Sequence, residues 1–289
     1  MIFYIYVHSG LNNKLIPLLS LLRIAKKENK DIKCYWGPDA YILNSIFEFN
    51  DLFEPINNIS FIDKNEYDKV FKNNKYTIYN KNGSDRDRKE IIYISNNNIS
   101  IFHKIVHLIS YKEDDVIGNY VPYPRSKICE TNIITELKLI INELKPKQNI
   151  IDKIDTITKK FKGNNVIGFH IRTTDGGFTN IPHNEVYNII DKYVKNNFKI
   201  YISCDNLKLE KNIISKFSSN IIYFDNPFGN KYEDKFDRKS YGTINAICEM
   251  FILSKCNKFL GTPGSSFSFM VWLLRNDNIL DFWCNNPWK

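Results

Sequence analysis

With 289 residues, 43% of them hydrophobic and 14% aromatic, the chain can bury a full core and is long enough for two domains, which excludes a disordered protein. Forty Lys and Arg against 32 Asp and Glu give a formal charge of +8, which admits an anionic partner such as phosphate, nucleotide or nucleic acid. Much of that lysine sits in solvated helix faces such as RIAKKENKDIK, so the charge does not by itself make a nucleic-acid binder.

In chain order, the strand MIFYIYVH leads through a loop SGLNNK to the helix LIPLLSLLRIAKK and the strand DIKCYW. An irregular stretch rich in Asn, Asp and Lys follows, with weaker strands KYTIYN and EIIYIS, then a helix NIITELKLIINEL that stops before Pro146. From NIIDKIDTITKKFK onward the alternation is regular. The strands NVIGFHIR, KIYISC, NIIYFD, KFLGT and ILDFWC are separated by the helices HNEVYNIIDKYVKNN, LKLEKNIISKF, TINAICEMFILSKC and SSFSFMVWLL. Strands alternating with helices of this length predict βαβ units and a doubly wound parallel sheet. The expectation is an α/β protein of two Rossmann-like domains, 1–147 and 148–289, divided near KPKQ and facing a ligand-binding cleft.

Six cysteines (Cys34, Cys129, Cys204, Cys248, Cys256, Cys284) show no CxxC pair and no zinc spacing, which predicts free thiols in a reducing compartment. MIFYIYVHSG lacks a charged start, and no apolar run approaches spanning length, so a cytoplasmic protein without a membrane span is expected.

Three motifs carry chemistry. VIGFHIRTTDGG brings His170, Arg172 and Asp175 to a strand end, where a guanidinium offers phosphate a planar fork of donors. A strand-end ion pair between Arg172 and Asp175 explains the same residues without a ligand. GTPGSSFSFMVWLL is a strand end, a turn and two serines opening an apolar helix, which presents backbone N–H groups and the positive end of the helix dipole to an anion. The plainer alternative is that Ser265 caps the helix. SGLNNKL places His8, Gly10 and Asn13 after the first strand; Gly10 would let backbone approach a ligand, but the GxGxxG spacing is missing.

These motifs, in this order, resemble the GDP-fucose-dependent fucosyltransferases that include the α1,2-, α1,6- and protein O-fucosyltransferases. SGLNNKL is similar to their N-terminal Gly-x-Gly-Asn loop, FHIRTTD to their His-x-Arg-x-x-Asp motif, YISCDN to the next strand end, and EMFILSKCNKFLGTPGSSFSFMVWLL to their final block. The resemblance implies a GT-B fold and an inverting, metal-independent transfer of fucose from GDP-fucose, a co-substrate, to a hydroxyl of a glycan or sugar-lipid acceptor. An α1,2 linkage is the expected type, with no cofactor. It also implies that Arg172 holds the β-phosphate and that Ser265, Ser266 and Phe267 line the phosphate and fucose subsite. His170, Asp225 and Glu249 would contact guanosine, Asn13 would reach from the first domain beside Gly10, and Asp175 would brace the arginine loop. Two residues depart from the family pattern: Asn12 replaces the second loop glycine, and Thr173 replaces a second arginine. The acceptor hydroxyl needs a base; His8 is preferred because it ends a strand, with His183 and Glu185 as alternatives and a core role for His8 left open.

Two rival functions remain. Asp85-Arg86-Asp87 forms a DxD of the kind that holds a divalent cation in metal-dependent GT-A glycosyltransferases. A non-catalytic nucleotide- or glycan-binding module would keep the anion site without turnover.

Overall fold

A computed structural model describes residues 2–7, 10–37, 47–73, 76–80, 91–95, 99–103, 132–173, 182–224, 240–275, 277 and 280–283. These fall into two compact units, one ending at Lys145 and one running from Pro146 onward.

The first unit opens with β1 (Ile2–Val7), α1 (Leu11–Lys27) and β2 (Asp31–Trp36), followed by α2 (Phe49–Leu52), β3 (Ile59–Ile62) and α3 (Lys64–Asn73). It continues with β4 (Tyr76–Asn80), β5 (Ile91–Ser95), β6 (Ile99–His103) and α4 (Asn132–Ile140). One six-stranded sheet runs β3-β2-β1-β6-β5-β4. Its first four strands are parallel, and β5 is antiparallel to both β6 and β4. The alternation of β1 turns Tyr4 and Tyr6 to the face covered by α3, where they pack with Tyr67 and Phe71. α1 carries buried residues at almost every position from Leu15 to Ala25. It packs on α4, to which Arg23 and Lys27 reach through Glu136 at 2.5 and 2.7 Å. Asn29, at φ 50°, turns the chain out of α1, a left-handed position that asparagine tolerates.

The helix expected to begin at Leu15 begins at Leu11. Within SGLNNK the helix therefore already includes Leu11 to Lys14, and Gly10, with extended backbone (φ −65°), serves as N-cap, its carbonyl accepting from Lys14 N at 3.2 Å. At that φ any residue would serve.

The second unit contains α5 (Gln148–Thr158), β7 (Asn165–Ile171), α6 (His183–Lys195), β8 (Phe198–Cys204), α7 (Leu207–Lys216) and β9 (Ile221–Ile222). It ends with α8 (Ser240–Ser254), β10 (Lys258–Gly261), α9 (Ser266–Leu274) and β11 (Asp281–Phe282). The five strands are all parallel in the order β11-β10-β7-β8-β9. Ile167, Phe169 and Ile171 point to one face with Ile200, Ile202 and Cys204, against Val186 and Ile190 of α6 and Leu209 and Ile213 of α7. Burying each such aliphatic side chain contributes about 1.5–3 kcal/mol. Gly168, His170, Tyr201 and Ser203 alternate to the other face, under α8 and α9. Helices on both faces explain why β7 and β8 read as near-continuous apolar runs. Among the described residues no helix is long and apolar enough to cross a membrane.

Candidate functional site

The strand ends of the second sheet gather most of the described residues singled out above. β10 lies beside β7, with Leu260 opposite Phe169, and β8 lies on the other side, with Ser203 opposite His170. The backbone beyond β7 is held from both sides. Arg172 N–H donates to Thr262 Oγ1 (3.1 Å) after β10, and Thr173 N–H donates to Asp205 Oδ1 (2.8 Å) after β8. The arginine loop and the turn before α9 are thus brought together by adjacent parallel strands.

Ser265 sits at the N-cap of α9, but its side chain makes no capping hydrogen bond, contrary to the plain capping alternative. It is 4% exposed, and its Oγ has no hydrogen-bond partner among the described residues. Its backbone closes the turn instead, with N–H to Thr262 O at 3.3 Å and C=O accepting from Phe269 N at 3.0 Å. The reason lies in the backbone: the short turn from Thr262 fixes Ser265 before α9 begins, so the hydroxyl is left with its hydrogen-bonding capacity unused in a buried place, which is costly unless a ligand supplies a partner.

Ser266 opens α9 and Phe267 follows, both half-buried. The Phe267 ring lies 4.5 Å from the His170 ring at 31°. His170 is buried, with Nδ1 at 2.7 Å from Ser268 Oγ. Glu249, on α8, is also buried and accepts from Ser203 Oγ at 2.6 Å. Tyr201, two residues before Ser203 on the same face, has its phenol pKa pushed well up, first by burial and then by Glu249. Together these make a preorganised edge of buried polar groups, an aromatic face and a helix N-terminus.

In the first unit, Asn13 lies in the first turn of α1 rather than in a loop, and Gly10 precedes it as N-cap. The adjoining Lys14 carried no sequence signal, yet it is buried, donates from Nζ to Gly37 O at 2.6 Å and lies 4.8 Å from the Trp36 ring centre. His183 and Glu185 occupy the exposed first turn of α6. His8, Asp175, Asp225 and the Asp85-Arg86-Asp87 run lie outside the described residues.

Sequence reasoning missed Thr262, Ser268, Ser203 and Asp205. YISCDN and GTPGSSFS contain them, but ordinary Thr, Ser and Asp at strand ends carry no signal until neighbouring strands are paired.

The family model described as Nodulation protein Z (NodZ) matches residues 6–289. No curated protein matches the chain. Among solved structures it is similar to one described as NodZ alpha-1,6-fucosyltransferase soaked with GDP-fucose, at 15% identity and a TM-score of 0.59, covering 94% of this chain and 92% of that one. It is similar also to fucosyltransferase NodZ from Bradyrhizobium, at 17% identity and a TM-score of 0.58, covering 94% and 93%. At these identities the likeness is one of fold, and it bears out the α/β, GT-B expectation and sets aside a GT-A fold. With that fold and a family match reaching from residue 6 to the C-terminal residue, the chain belongs to the Nodulation protein Z (NodZ) family.

Proposed function

We propose that this protein is a fucosyltransferase that takes fucose from GDP-fucose to a hydroxyl of a glycan or sugar-lipid acceptor, with inversion and without a metal. Membership in the NodZ family supports the reaction class, and a NodZ structure soaked with GDP-fucose supports the donor. The observation that carries the reading to particular residues is the buried Ser265 hydroxyl at the start of α9, which has no partner among the described residues and lies beside the strand whose end bears Arg172. Breaking the sugar–phosphate bond builds negative charge on GDP while the fucose ring becomes oxocarbenium-like. In this reading Arg172, Ser265 and the first N–H groups of α9 receive that charge as fixed donors. His170, Glu249 and the Phe267 ring hold the nucleotide and sugar, with Ser266 beside them. Asn13 and Gly10 are assigned to donor binding as well, Asp175 braces the arginine loop, Asp225 contacts guanosine, and His8 takes the acceptor's proton.

An α1,6 linkage replaces the α1,2 type in this proposal, because the NodZ structure soaked with GDP-fucose is described as an alpha-1,6-fucosyltransferase. Product linkage determined by NMR decides between them. The deciding measurement of the reaction is GDP release from GDP-fucose in the presence of EDTA, with and without glycan acceptors. We expect turnover in EDTA, and a loss of roughly two to three decades in Arg172→Ala, the size typical of removing one donor from a developing oxyanion. GDP binding without turnover would instead favour the binding module, to which Thr173 in place of an arginine points. Failure of turnover only in EDTA would overturn metal independence.

A further inference from the structure

Thr262 and Ser268 take no part in the chemistry just described, yet they join its elements. Thr262 is fully buried, and its hydroxyl donates to His170 O (2.7 Å) while accepting from Arg172 N–H (3.1 Å) and Trp283 Nε1–H (3.0 Å). One hydrogen and two lone pairs are all used. Its own N–H donates to Ser268 Oγ at 2.8 Å, and that oxygen lies 2.7 Å from His170 Nδ1. Ser268 is 1% exposed. One of its lone pairs is therefore taken by an amide that can only donate. Among the described residues, its hydroxyl hydrogen has a single acceptor within reach, the imidazole Nδ1.

That assignment leaves Nδ1 bare and puts the ring proton on Nε2. The opposite tautomer would place a second donor on Ser268 and leave a buried hydroxyl hydrogen without a described acceptor, which interiors rarely permit. Two further features fix the geometry. A Cβ on Gly261 would meet Ser268 Cβ at 2.8 Å and Oγ at 2.9 Å, so only glycine lets α9 bring Ser268 this close to the strand. The Phe267 ring against the imidazole sets the ring plane.

We infer that Thr262 and Ser268 are positioning residues that hold His170 as a neutral imidazole with its proton on Nε2, so that whatever Nε2 meets in the site, bound nucleotide included, it meets as a hydrogen-bond donor and not as a proton-accepting base. The identity of the ligand rests on the proposed function; the tautomer does not.

The test is two-bond ¹H–¹⁵N NMR of the imidazoles at a pH where they are neutral, with His170→Gln assigning the His170 signals. The expected wild-type pattern is a protonated Nε2 and a bare Nδ1, turning to a mixture in Ser268→Ala and restored in Ser268→Thr. A wild-type Nδ1–H pattern overturns the inference whether or not any variant folds, and so does a Ser268→Ala pattern identical to wild type. Calorimetry with GDP then separates this inference from the proposed function. Roughly tenfold weaker binding in Ser268→Ala, the size of one hydrogen bond, is expected for a donor His170. Unchanged affinity overturns the donor role, and absence of GDP binding to the wild type sinks the nucleotide reading while leaving the tautomer as measured.

Discussion

Ser265 separates two roles that a serine at a helix start can play. A capping serine replaced by alanine costs about 1 kcal/mol of stability. Ser265 makes no capping bond, and its hydroxyl is buried without a described partner, so Ser265→Ala should unfold in urea within about 0.5 kcal/mol of wild type while binding GDP several-fold more weakly. A clear stability loss with unchanged affinity would return Ser265 to a structural role. The residue type and its position were legible in GTPGSSFS; the unused hydroxyl was not, because it depends on a turn closed by Thr262 O. His170 and Arg172 were legible as strand-end residues for the same periodic reason, since β7 buries every residue after Asn165 and the next charged side chain falls at the sheet edge. Thr173 is, with Asn12, one of the two residues at which this chain departs from the motifs it resembles. It is buried, and Asp205 holds its backbone in line beside β8.

The elements that build the edge depend on close packing at glycine. Gly261 ends β10 where α9 crosses it, and the atom an added methyl group would meet first is Ser268 Cβ, which cannot move without the helix. Gly261→Ala should therefore destabilise the protein by about 1–3 kcal/mol in urea unfolding, the usual cost of overpacking. It should also lower GDP affinity, since Ser265 and Ser266 stand at the start of α9. Destabilisation of this size without an effect on GDP binding would detach α9 from the site. The helices of the second unit and its strands β7 and β8 were readable because each is long, periodic and bounded by turn residues, whereas β9 and β11 keep only two paired residues each. The first unit was harder. β3 and β6 are short and lie in polar stretches, and only pairing with β2 and β1 makes them strands. The antiparallel partners β4 and β5 follow from that pairing, and no local pattern announces the change of direction.

Across the whole molecule the thiols behave as core side chains. Cys34, Cys204, Cys248 and Cys256 are buried thiols outside any disulfide, while Cys129 and Cys284 lie outside the described residues. Burial pushes the Cys248 thiol up to about 12 and raises Cys34 and Cys256 further from their ordinary range. A pKa raised in the folded state means that the unfolded chain releases these protons first. Their contribution is complete at neutral pH and declines as pH rises from the unfolded value near 9 through the folded one. Urea unfolding between pH 8 and 11 should show stability beginning to fall near pH 9 and, above it, falling by up to about 1.4 kcal/mol per pH unit for each such thiol. A flat profile would mean that these thiols are not buried as described. The sequence by itself determined the α/β class, the phosphate-suited motifs and the family, because periodicity and motif order are local properties that survive without knowledge of contacts. Only the tertiary structure decided which strands are neighbours. That pairing places Thr262 between His170 and Arg172 and sets Ser268 against an imidazole 98 residues away, since a hydrogen bond between distant segments exists only once their strands and helices are packed.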